Sequence, residues 1–82
     1  MDWLLYMLEC SDNSIYTGIT NNLEERLKRH QSGKGAKYLR GRLPIKLVYE
    51  ESFINRSEAT KKEIHIKKMS KKEKRNLIDL KQ

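Results

Sequence analysis

Two short apolar runs open the chain. Trp3 to Glu9 (WLLYMLE) is apolar at nearly every position, which predicts a strand buried on both faces and therefore central in a sheet. Ser14 to Ile19 is the second strand, and Ser11-Asp12-Asn13-Ser14 between them is turn chemistry. The pair reads as a hairpin, in which Tyr6 and Tyr16 can end up in one patch. Thr20-Asn21-Asn22 then stops the sheet, and Asn21 or Asn22 caps a helix with Glu24 or Glu25 three residues on. That helix runs from about Leu23 to Gln31 and ends at Ser32-Gly33. Gly33 to Leu43 is a loop. Pro44 precedes a third strand, Ile45 to Phe53, in which Ile45, Leu47 and Tyr49 alternate loosely with Lys46, Val48 and Glu50. Asn55 caps a second helix, about Arg56 to Lys68, with Glu58 at the third helical position. Ser70 and Glu73 form a capping box that starts a last helix at about Lys71, with Leu77, Ile78 and Leu80 turned inward.

The fold class is therefore α/β of the α+β type, in the order β-β-α-β-α-α, with a three-stranded, mainly antiparallel sheet flanked by helices. The hairpin fixes the first pairing as antiparallel. The third strand returns after a helix, and its partner stays open. No repeat or long linker divides residues 1–82, so one domain is expected.

Some polar residues sit where packing does not call for them. Leu23, Arg26, Leu27 and His30 have i, i+3, i+4, i+7 spacing, so Arg26 and His30 share the face of the leucines. Glu63 follows Ala59 by four residues and precedes Ile66 by three, so it falls on the inward stripe of its helix. A salt bridge to Lys67 would account for it equally well. The loop carries Lys34, Lys37, Arg40 and Arg42 around Tyr38, which can stack on an unpaired base; a basic surface loop has the same composition. No GK[ST] ends it, so it is not a P-loop.

Charge alters the picture more than composition does. The net charge of the 82 residues is +7. Arg26 to Lys46 holds eight Lys or Arg and no acid, Lys61 to Arg75 holds eight more against Glu63 and Glu73, and the remainder sums to −7. Two concentrated basic segments suit a polyanion such as nucleic acid. With 37% apolar residues in clusters, the chain reads as a small compact domain, and a monomer is expected. Cys10 is the one cysteine, so no intramolecular disulfide forms and a cytoplasmic setting fits; its place at a strand end is that of a small core residue. No apolar run approaches the roughly 20 residues of a membrane span, and the apolar N-terminus has no basic leader region, so neither a membrane association nor a signal peptide is expected.

At this point the residues resemble a family. Leu4-Leu5-Tyr6 and Tyr16-Thr17-Gly18 are similar to the two strand motifs of the GIY-YIG nuclease superfamily, the first keeping only its tyrosine and the second its tyrosine and glycine. Arg26, His30 and Glu63 match, in order and on the expected elements, the arginine, histidine and glutamate of that family. The loop from Gly35 through Arg42 resembles that of its small stand-alone bacterial members of uncharacterised function. The resemblance implies a metal-dependent endonuclease acting on DNA. Glu63 would hold one divalent cation, Mg²⁺ or Mn²⁺. Tyr16, supported by Tyr6, would take the proton of the attacking water. An ordinary tyrosine pKa of about 10 makes nearby positive charge necessary for that role. Arg26 would clamp the phosphate, and His30 would contact phosphate or assist proton transfer. Lys34, Lys37, Tyr38, Arg40, Arg42 and Lys67 would bind nucleic acid. Ile19 and Thr20 stand where several DNA-cleaving members carry a lysine, and Asn76 is the nearest match to a further asparagine of the family. Proven nucleases of this type usually carry a separate DNA-binding domain, so here the basic segments would supply the affinity. The alternative is a nucleic-acid-binding module that keeps the fold with little or no catalysis.

Overall fold

The middle strand of the sheet is β1 (Trp3–Glu9), as its two-sided apolar run requires, in the computed structural model, which describes residues 2–81. It pairs antiparallel with β2 (Ile15–Thr20) on one side and with β3 (Lys46–Phe53) on the other, giving the order β2-β1-β3. The open question of the third strand is thereby answered: it lies antiparallel on the far edge of β1. The hairpin turn closes through Cys10 N–H to the Ser14 carbonyl at 2.9 Å, with Asn13 at φ 67° and the Asp12 carboxylate accepting from Ser14. Three helices follow the expected order: α1 (Leu23–Gln31), α2 (Arg56–Lys67) and α3 (Lys71–Lys81). Asn22 and Asn55 accept from the Glu25 and Glu58 amides, and Ser70 and Glu73 exchange both bonds of a capping box at 3.1 Å.

The alternation of β1 divides the core in two. Leu5 and Met7 face α2 and α3, packing with Tyr49, Ile66 and Ile78. Tyr6, Leu8 and Cys10 face α1 and its following loop, packing with Leu39 and Ile45 and flanked by Leu23 and Leu27. Leu5, Met7, Leu8, Ala59 and Ile66 are wholly excluded from solvent. Burial of each large aliphatic side chain of this kind contributes about 1.5–3 kcal/mol. Cys10 is a free, buried thiol, as its position suggests.

Two expectations need correction. The loose alternation of the third strand is a register shift: Met7 pairs with Tyr49 but Leu8 with Leu47, so Val48 is an extra residue. The bulge lets Ile45 reach the α1 side while Tyr49 and Val48 reach the other, and Leu47 stays at the exposed edge. Leu80 does not point inward; it is 85% exposed. Ile78 sets the buried face of α3, and two residues further on a helix the side chain has turned about 200° away.

Candidate active site

Tyr6 and Tyr16 point to the same side of the sheet, where β1 and β2 meet α1. Tyr6 lies opposite Gly18 and Leu8 opposite Tyr16 in the β1–β2 register. The absent side chain at Gly18 makes room for the Tyr6 ring, since a Cβ there would stand 2.6 Å from the Tyr6 hydroxyl oxygen and 3.2 Å from the Tyr16 ring. The two tyrosine rings are 6.3 Å apart, centre to centre.

From the last turn of α1, His30 enters this pair. It is 1% exposed, with its ring 6.0 Å from that of Tyr6 and 5.7 Å from that of Tyr16. Its Nε2 lies 2.9 Å from the Tyr6 hydroxyl oxygen, and its Nδ1 accepts from the Ala36 backbone N–H at 3.3 Å. The second bond decides the first. A nitrogen that accepts from an amide carries no proton, so in the neutral ring the proton is on Nε2 and is donated to Tyr6. Burial, with Arg26 and Arg29 nearby, lowers the His30 pKa and keeps the ring neutral. Gly35 completes the enclosure: a Cβ there would meet His30 Nδ1 at 2.1 Å. The loop glycine thus serves close packing on a histidine, and both nitrogens of His30 are engaged inside the protein rather than offered to a phosphate.

Tyr6 is itself held neutral. Burial raises its pKa well above the ordinary 10.0, and the neighbouring Tyr16 and Glu63 push the same way against the opposing pull of Arg26. Arg26 stands on the exposed rim of α1, further out than its shared face with Leu27 suggests. It lines an open cavity of about 350 Å³ together with Arg29, Thr20, Asn21, Asn22 and Glu25. Arg29 is a further cation that the helical spacing three residues after Arg26 would have indicated.

Glu63 comes from α2. Its side chain is 18% exposed and paired with Lys67 at 3.2 Å, so the salt bridge open to the sequence does form. Its charge, like that of Arg26, is one of those that act on Tyr6, the two in opposite directions. A carboxylate that already gathers a cation fits an Mg²⁺-type ion, which keeps most of its waters and needs only one or two carboxylates plus phosphate oxygens. It does not fit a closed cage of protein ligands: no group of three or more His, Cys, Asp or Glu side chains suited to a metal occurs among the described residues.

The basic loop is only partly turned to the same centre. Tyr38, in the 3₁₀ turn Lys37–Leu39, is 41% exposed and lies 5.9 Å from the Tyr16 ring. Arg42 is spent within the protein: its guanidinium lies 4.0 Å over the Tyr38 ring, pairs with Asp12 at 3.0 Å and donates to the Tyr38 carbonyl at 2.7 Å. Lys34, Lys37 and Arg40 are exposed along the loop, and Lys67 is exposed beside Glu63.

Comparison with known proteins gives the family of the chain. A family model of the GIY-YIG catalytic domain matches residues 2–76. A UPF0213 protein of Clostridium perfringens is 54% identical over 77 residues, covering 94% of this chain and 83% of the relative. Another from Oceanobacillus iheyensis is 53% identical over 75 residues, covering 92% and 87%. The solution structure of the UPF0213 protein from Bacillus halodurans superposes with a TM-score of 0.65 at 46% identity, over 99% of this chain and 86% of that one. That of a protein from E. faecalis gives 0.69 at 40% identity, over 98% and 85%. A hairpin carrying two tyrosines, an arginine and a histidine on the first helix, and a glutamate on the second thus stand within a matched catalytic domain, and the chain belongs to the GIY-YIG family, alongside its UPF0213 members.

Proposed function

We propose that this protein is a divalent-metal-dependent nuclease that hydrolyses phosphodiester bonds in nucleic acid, with DNA the expected substrate. The observation that carries the reading is the buried, neutral His30–Tyr6 pair set against Tyr16, with Arg26 and Glu63 both bearing on its charge. Such an arrangement divides the labour between the tyrosines. Tyr6 keeps its proton, because burial and its neighbours oppose its ionisation. Tyr16, less buried and nearer the edge of the sheet, is the one that, as a phenolate favoured by the positive charge of Arg26 and of the cation, would take the proton of the attacking water and become a neutral phenol. His30 acts by positioning: its Nε2–H fixes the Tyr6 oxygen and turns the Tyr6 proton away from the imidazole. Arg26 clamps the scissile phosphate and balances charge on its oxygens. Glu63 would hold the metal, Mg²⁺ or Mn²⁺, which when bound supplies positive charge at the phosphate. Lys67, now paired with Glu63, would be free to turn to the substrate backbone once a cation took its place. The free buried thiol of Cys10 fits the expected cytoplasmic setting.

The test is cleavage of branched, nicked and single-stranded DNA in Mg²⁺ or Mn²⁺ by the wild type, Glu63→Ala and Arg26→Ala. Each substitution is expected to lower the rate about 100-fold or more, as removal of a transition-state charge contact does. Equal activity in all three proteins would overturn the assignment. Binding that weakens steeply with salt yet needs neither metal nor Glu63 would leave a nucleic-acid-binding module in its place.

A further inference from the structure

Beside the tyrosine cluster, along the open edge of β2, lies a second cavity of about 310 Å³. Ile15, Tyr16, Thr17, Tyr38, Lys67 and Lys74 line it, so it is walled by β2, the 3₁₀ turn, the end of α2 and the first turns of α3. Its volume is that of a small-molecule site, far too narrow for a duplex. Two lysines from two different helices share its walls.

The aromatic wall is preorganised. Arg42 covers the Tyr38 ring at 4.0 Å and is itself tied to Asp12 and to the Tyr38 carbonyl, while Leu39 beside it is 1% exposed and anchors the turn. A surface tyrosine held this firmly loses little freedom when a ring stacks on it. The inner wall is β2 itself, through Ile15, Tyr16 and Thr17.

We propose that this cavity is a subsite for one unpaired nucleotide of a single strand whose backbone passes Tyr16. The base stacks on Tyr38, and the phosphate lies between Lys67 and Lys74. A base paired within a duplex cannot enter, whereas an unstacked one presents its whole face. Lys67 can serve here because its pair with Glu63 is exposed on the lysine side, and such pairs are weak. The inference rests on nucleic acid being the substrate, and it names which form of it the site prefers.

The experiment is a residue-resolved NMR titration of the full chain with a short oligothymidylate in metal-free buffer, where no cleavage intervenes. Shifts are expected at Ile15, Thr17, Tyr38, Lys67 and Lys74, and a paired duplex is expected to leave Tyr38 unmoved. Tyr38→Ala should weaken binding about 5- to 150-fold, the range for loss of one stacked base, whereas Tyr38→Phe should retain it. Lys74→Ala should lower the logarithmic salt slope by about 0.7, one phosphate contact on a single strand. Lys28→Ala, on an exposed turn of α1, should leave the shift pattern and the Tyr38 dependence intact. Binding that shifts other surfaces and is indifferent to Tyr38→Ala and Lys74→Ala overturns the subsite, and the nuclease reading then stands on its own cleavage assay. No binding at low salt also overturns it. Shifts confined to the cavity in a protein that cleaves nothing would keep the subsite and remove the nuclease.

Discussion

At the scale of single residues, His30 concentrates the physics of the site. One ring nitrogen donates to Tyr6 and the other accepts from Ala36, so a second proton on the ring would break the Ala36 bond. Its pKa in the folded chain lies below the ordinary 6.5. The unfolded chain therefore takes up a proton that the folded chain refuses. Stability from this residue is intact above pH 6.5 and is lost as the pH falls below it. Urea midpoints across that range should fall on acidification, and His30→Gln should flatten the fall. Asp12 and Glu73 act at lower pH, because hydrogen bonds from Ser14 and Ser70 hold them below 3.8 and 4.5 respectively. An unchanged midpoint on crossing pH 6.5 would mean that His30 is not held as a neutral ring. The likeness of Tyr16-Thr17-Gly18 to a known strand motif made Gly18 legible in the chain. Gly35 was not, because the atom it makes room for belongs to a helix that ends before it.

At the scale of elements, short-range chemistry carries the most weight. A cap acts within three residues, so Asn22, Asn55 and Ser70 could all be read from neighbouring letters. Ser70→Ala removes the acceptor that receives the Glu73 amide and should cost about 1 kcal/mol in urea unfolding. A change of only a few tenths would mean that α3 is fixed by Ile78 and Leu77 alone. The β3 bulge was written in the sequence only as a poor alternation, because the extra residue is defined by the strand opposite. Leu80 failed for a related reason: among three apolar residues close together on a helix, the neighbouring elements choose which face is buried.

At the scale of the whole molecule, the order of the candidate site residues was legible, but their geometry was not. A hairpin lets Tyr6 and Tyr16 meet, and the register that pairs Tyr6 with Gly18 and Leu8 with Tyr16 puts them on one face. Arg26, His30 and Glu63 were visible as polar residues on packing faces. Nothing local told which would be rim and which interior, and the fold buries His30 completely while leaving Arg26 outside. The basic segments likewise spread over several surfaces, with Arg42 spent on Tyr38 and Asp12. The link between loop and interior has a kinetic consequence. The Ala36 amide lies between regular elements, yet its hydrogen points at a buried imidazole. Its solvent exchange requires the loop to peel from the ring, an opening of the α1 side of the core. Ala36 should exchange more slowly than Gly41, exposed in the same loop, by about tenfold or more, equivalent to about 1.4 kcal/mol. Measured by hydrogen–deuterium exchange, that one amide becomes a clock for the integrity of the tyrosine–histidine cluster; an Ala36 as fast as Gly41 would show the ring unclamped.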